Sequence, residues 1–284
     1  MIGLLAELPQ PDYPADYLVA RLAARRSRWA AGRSPGAGDD HGGMVSRAAE
    51  FHWLYGQLPR RLRRELAPLF VYFELRSIFL FLRGLARGSK EGGKALFDGS
   101  LLHDGLRQRL LGEQEAGAAV RRLSHFWPAG TTLSRSYAAG GCAALEDEMT
   151  RQVLAAGRRS SAGLRDFWAT LIDLENLMAV AKRRRWQARF PFAYRCGGIV
   201  GPRLLRKAEH GMATSLADPM AAAVESAVGE GNWQLEDLLV RRVQQRLART
   251  ARTAAPAASV AAYLWGIHAM TRRHAVTAAG GAAA

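Results

Sequence analysis

The segment Gly88-Ser-Lys-Glu-Gly-Gly93-Lys94-Ala95 has the G-x-x-x-x-G-K spacing in which backbone amides can cradle phosphates and a lysine can reach them. Ala95 supplies no hydroxyl for magnesium. The segment also follows an apolar helical stretch rather than a strand, so it reads as a loop. Asp39, Asp40 and His41 bring metal donors together, but inside the breaker-rich run GRSPGAGDDHGG, which reads as a solvated turn. His268 and His274 fall on different faces of one helix. Cys142 and Cys196 are the two cysteines and form no C-x-x-C, which argues against a disulfide framework and a thiolate zinc site and favours a reducing compartment. HExxH is absent from the sequence. No catalytic residue, no metal site and no cofactor is predicted.

What remains as candidate chemistry is positive charge. Forty Lys and Arg against 25 Asp and Glu leave a net charge of +15, enough to attract nucleic acid, an anionic membrane surface or an acidic protein. The cations come in runs: Arg60, Arg61, Arg63 and Arg64; Lys182, Arg183, Arg184 and Arg185 with Trp186; Arg241 and Arg242, continuing through Arg246, Arg249 and Arg252; and Arg272 with Arg273. Taken singly, each run is explained by charge complementing the C-terminal end of a helix or by a solvated face. Their sum calls for a partner. The candidate interface is Lys182, Arg183, Arg184, Arg185, Arg241, Arg242, Arg272 and Arg273.

The elements carrying these residues are helical. Ala, Leu and Arg dominate and β-branched alternation is nearly missing, so the fold class is all-α. Leu235, Leu238, Leu239, Val243 and Leu247 form one apolar stripe, with Asn232 placed to cap its helix; Leu171, Leu174, Met178 and Ala181 form another. Leu18, Leu22 and Trp29 mark a first helix. Residues 32–43, 84–99 and 190–202 are interruptions, and the terminal alanines are expected to fray. The most apolar stretch, residues 66–82, contains Glu74 and Arg76, which a bilayer would make costly, so no membrane span is predicted. The opening residues lack the pattern of a secretory signal, and a cytoplasmic protein is expected.

A repeat is visible within the chain. Sliding Ala144–Arg183 onto Gln234–Arg273 without a gap matches Leu145 with Leu235, Glu146 with Glu236, Asp147 with Asp237, Val153 with Val243, Leu174 with Leu264 and Arg183 with Arg273. The helix Tyr72–Gly84 supplies a third copy of the closing helix, setting Ile78 opposite Leu177 and Ile267. The chain therefore divides into residues 1–88, 89–189 and 190–276, with a tail at 277–284.

At these closing helices a family resemblance emerges. Asp173-Leu-Glu-Asn-Leu177 followed by Lys182-Arg183, with Glu146 upstream, resembles the Asp-x-x-Asn-Leu…Arg element of the C-type central-stalk subunit of the rotary V/A-type (vacuolar/archaeal-type) ATPases, equivalent to the d-type subunit of the eukaryotic enzyme. Tyr263-Leu264 followed by Arg272 and Arg273, with Leu235-Glu236 upstream, resembles that family's last repeat. Tyr17-Leu-Val-Ala-Arg21 is similar to its opening Tyr-x-x-Ala-Arg segment.

The resemblance implies three pseudo-repeated helical bundles forming a funnel, and a non-catalytic rotor component at the cytoplasmic face of the membrane. Its partners would be the central-stalk subunits and the proteolipid ring of a complex linking ATP turnover to proton or sodium transport, with membrane contact only through the ring or headgroups. The competing expectation, from the charge alone, is a basic all-helical nucleic-acid-binding protein. The run Lys182–Arg185 with Trp186 suits phosphates and stacking, but no helix-turn-helix, RNP or zinc module accompanies it.

Overall fold

A computed structural model describes residues 1–9, 11, 13–30, 47–89, 92–160, 162–186, 194–210, 235–251 and 256–281. Among them the fold is mostly helical, with no strand beyond one isolated antiparallel bridge, Leu5 to Leu102. The all-α expectation holds. Among the described residues, no helix is long and apolar enough to cross a membrane. The chain forms two compact units, Met1–Ser161 and Ala162–Ala284.

In the first unit, helices α1 (Ala15–Ala30), α2 (Arg47–Gln57) and α3 (Arg60–Ala86) are followed by the short α4 (Gly93–Leu96), α5 (Asp104–Gly112), α6 (Ala116–Phe126) and α7 (Gly130–Ser160). Helix α3 is central and packs against α4, α6 and α7. Its middle is buried on nearly all sides: Leu66, Leu69, Phe70, Val71, Leu75 and Ile78 are all at 3% exposure or less. The apolar stretch of the sequence is thus a core helix. Its two charged residues part company: Glu74 is buried and Arg76 is exposed.

Helix α7 doubles back. Gln152 Nε2 donates to Thr132 Oγ1 at 2.6 Å, although the two lie 20 residues apart and a straight helix would separate them by about 30 Å. The reversal is at Gly140–Gly141, where Gly141 has φ 63° and ψ −150°, a conformation that only glycine adopts without strain. The same Gln152 accepts from Trp127 Nε1 at 2.8 Å, tying the hairpin to the end of α6.

In the second unit, a 3-10 turn (Ala162–Leu164) leads into α8 (Arg165–Trp186), then α9 (Pro202–Glu209), α10 (Leu235–Thr250) and α11 (Pro256–Gly281). Helix α8 packs on α9 and α10, and α10 on α11. Leu239, Val243 and Leu247 of the expected stripe are buried, as are Leu171, Leu174 and Ala181 on α8, whereas Met178 of that second stripe is half-buried. Trp265 packs edge-on to Phe167 with centroids 6.1 Å apart, and its indole N–H donates to Val240 O at 3.1 Å. Helix α11 continues through the alanine-rich tail to Gly281, in keeping with alanine's being the best helix former. Asn232 and the Asp39-Asp40-His41 loop lie outside the described residues.

Candidate functional site

The residues behind the family resemblance fold inward. On α8, Asp173 and Asn176 are both 0% exposed. The Asp173 carboxylate accepts from Ile199 N at 2.9 Å and Val200 N at 3.0 Å. Asn176, one turn on, closes a reciprocal pair with a single residue: its Nδ2 donates to Arg195 O at 3.0 Å, and its Oδ1 accepts from Arg195 N at 2.9 Å. Four hydrogen bonds therefore fix the backbone of residues 195–200 against α8. Gly198 is required there, since a Cβ at that position would meet Asp173 Oδ1 at 2.0 Å.

The first unit contains the same device. Glu74 on α3 accepts from Ser100 Oγ at 2.6 Å and Leu101 N at 2.9 Å. The spans match: Glu74 reaches residues 26 and 27 positions ahead, and so does Asp173. The register that sets Ile78 against Leu177 also sets Glu74 against Asp173, Ser77 against Asn176, Gly99 against Gly198 and Leu101 against Val200. In both units a helix starts directly beyond the clamped segment, α5 in one and α9 in the other. Burial pushes the Glu74 carboxyl above its ordinary range, with the Ser100 hydroxyl, the Leu101 N–H, Arg47 and His52 opposing the shift. His52 Nε2 lies 3.1 Å from Ser100 O, so the clamped residue is also held from α2.

The opening Tyr17–Arg21 segment is likewise internal bracing. Arg21 donates to Gln57 Oε1 at 2.6 Å, and its guanidinium lies within 6 Å of the Tyr13, Tyr17 and Trp53 rings. One turn on, Arg25 grips Glu50 with two hydrogen bonds, at 2.8 and 2.6 Å, and Glu50 is 1% exposed. Glu146 on α7 pairs with Arg83 on α3, whose Nε donates to Glu146 Oε1 at 2.5 Å.

The candidate interface residues have mixed surroundings. Lys182, Arg183, Arg184 and Arg185 occupy the last turns of α8, where cations complement the macrodipole. Lys182 is exposed, while Arg183 and Arg184 are half-buried. Arg183 Nη1 donates to Glu209 Oε1 at 2.5 Å, and the other Glu209 oxygen accepts from the Tyr194 hydroxyl, so this cation joins α8 to α9. Burial, followed by the Glu209 contact, pushes the Tyr194 phenol up. Arg241 is half-buried on α10. Arg242 lies on α10, and Arg272 and Arg273 lie on α11; their side chains and that of Arg185 fall outside the described residues.

Two buried groups are missed by the sequence reading. Glu74 enters it only as a cost to a membrane span, although its place four residues before Ile78, like that of Asp173 before Leu177, is a usable signal. Arg63 enters it as one of a run with its exposed neighbours, yet it is 5% exposed. Its guanidinium donates to four backbone carbonyls, those of Tyr55 and Gly56 at 3.1 Å and those of Leu8 and Pro9. No sequence pattern marks it.

The phosphate-loop spacing falls where a helix, not a strand, leads in. Gly88 and Gly92 take positive φ (73° and 75°), and Gly93 and Lys94 open the four-residue α4. No group of three or more His, Cys, Asp or Glu among the described residues is arranged to hold a metal ion. Cys142 is half-buried and Cys196 exposed, and both are free thiols. The chain matches no family model, no curated protein and no solved structure.

Proposed function

We propose that this chain is a non-catalytic coupling component of a rotary V/A-type ATPase. On this reading it is a body of three pseudo-repeated helical bundles forming a funnel at the cytoplasmic face of the membrane. It joins central-stalk subunits to the proteolipid ring and carries torque for proton or sodium transport. The observation that carries the reading is the recurrence of one clamp at Glu74 and Asp173. The residues that bear the resemblance around Asp173 and Asn176 serve a repeated scaffold, and a torque-bearing connector needs repeated rigid elements more than it needs a reactive centre. The arginine bracing at Arg21, Arg25 and Arg63 supports it in the same way.

The test is affinity purification of the tagged chain from its own cells at about 150 mM salt, where charge acts over about 8 Å. Stalk and ring subunits are expected among the retained proteins. Nanomolar, sequence-selective binding to nucleic acid at that salt, with neither partner retained, overturns the reading in favour of a basic helical nucleic-acid-binding protein.

A further inference from the structure

The arginine run at the start of α3 differs from the other cationic runs in its place on the helix. Arg60, Arg61 and Arg64 lie in the first turns of α3, at the end where the backbone already presents partial positive charge, and the first turn holds no acidic residue. All three are exposed, and among the described residues none of their side chains makes a hydrogen bond or ion pair. Complementing a helix C-terminus, which accounts for Lys182–Arg185, does not account for these. Arg63 stands between them and is fully engaged, so the helix start that carries the other three is firmly held. Glu65 beside them is half-buried, and among the described residues the opening segment adds two exposed acids, Glu7 and Asp16. The patch is thus net positive, rigidly mounted and unneutralised.

We propose that Arg60, Arg61 and Arg64 form a docking surface for an acidic segment of a partner protein. Arg60 and Arg64 are one helical turn apart, so their guanidinium forks can take carboxylates spaced along a peptide, with Arg61 flanking them. Charge complementarity of this kind steers association and fixes register. An anionic bilayer fits less well, because Leu58 and Leu62 are buried and the stretch from 58 to 65 offers no exposed apolar side chain to insert. Nucleic acid fits less well too: three phosphate contacts give little affinity at physiological salt, and that stretch contains no aromatic ring for stacking. The inference does not depend on the rotor reading.

The experiment compares the full chain with Arg60→Gln/Arg61→Gln/Arg64→Gln and with a control of equal charge change, Arg135→Gln/Arg158→Gln/Arg159→Gln, whose sites are also exposed. The probe is a labelled dodecapeptide of glutamates at low salt. The patch variant is expected to bind about tenfold more weakly, the control within about twofold of the parent. The patch variant should also melt at or above the parent temperature, since relieving charge at the positive end of a helix does not destabilise it. Equal loss in both variants makes the effect one of net charge and overturns the proposal. A lowered melting temperature in the patch variant shows a structural role and overturns it as well. Tighter, patch-dependent binding to phosphatidylserine vesicles or to a single-stranded oligonucleotide than to the peptide assigns the surface to a different partner and overturns it.

Discussion

The clamp at Glu74 and the clamp at Asp173 do one job with different means. Each is a buried acid on a long helix that takes the backbone of a segment 26 or 27 residues ahead. Glutamate, one methylene longer, reaches a side-chain hydroxyl and one amide. Aspartate is shorter and takes two consecutive amides, which brings the backbone so close that Gly198 has no room for a Cβ. In the first unit the matching Gly99 is needed for another reason: its φ is 67°, and a Cβ would meet Ala48 Cβ at 2.6 Å. The polar residue one turn on also diverges. Asn176 adds two hydrogen bonds to Arg195, whereas in the first unit His52 on α2 holds Ser100 from the other side. Position and chain direction are preserved while the chemistry of attachment varies, as expected where the requirement is to satisfy buried amides.

The largest effect should come from the apolar residue beside each clamp. Leu177→Asp places an unpaired charge at a site with 0% exposure and should destabilise the second unit by about 4–5 kcal/mol. Ile78→Asp should do the same in the first unit. Urea unfolding followed by tryptophan fluorescence measures both, and a variant that melts like the parent removes that helix from the repeat.

Removing the acids comes next. Asp173→Ala strands the amides of Ile199 and Val200 and should cost about 3 kcal/mol. Glu74→Ala should cost less, about 2 kcal/mol, because burial already acts against the ionised carboxylate it removes. Hydrogen exchange should find the lost protection at 195–200 in the first variant and at 100–102 in the second. Protection unchanged at those amides would separate the two sites.

The smallest effect is a dependence on pH. The Glu74 carboxyl is raised in the fold above its ordinary 4.5, so between that value and its folded value the native chain binds more protons than the unfolded one. Its contribution to stability is therefore full below about 4.5 and is lost as pH rises through the folded pKa. Glu74→Gln removes the titration, so the stability of this variant relative to the parent should increase across that window. Urea titrations at several pH values measure the difference, and a flat difference would mean that the acid is not desolvated as the geometry implies.

Much of this was legible in the sequence. Helical periodicity and the absence of alternation set the fold class, and Ile78, Leu177 and Ile267, which the sequence aligns with one another, are all buried. Glycine before each clamped segment and an acid four residues before each of two aligned apolar positions were also in plain view, although their joint meaning was not, since no local pattern says which backbone amides a buried acid will meet. The grouping of Arg63 with Arg60, Arg61 and Arg64 failed for a related reason. Four arginines within five residues look alike in sequence, and only the carbonyls converging from residues 8, 9, 55 and 56 single out one of them.

The sequence by itself determined the all-helical character, the cationic excess and the apolar faces of the helices, because these follow from side-chain propensity, charge and periodicity along the chain. Tertiary structure alone decided which charges are spent internally. It turned α7 back at Gly140–Gly141, gave Arg183 to Glu209 and Arg63 to the backbone, and left Arg60, Arg61 and Arg64 outside. The reason is physical: a buried charge is tolerated only where partners converge on it from distant parts of the chain, and that convergence exists only once the helices have packed.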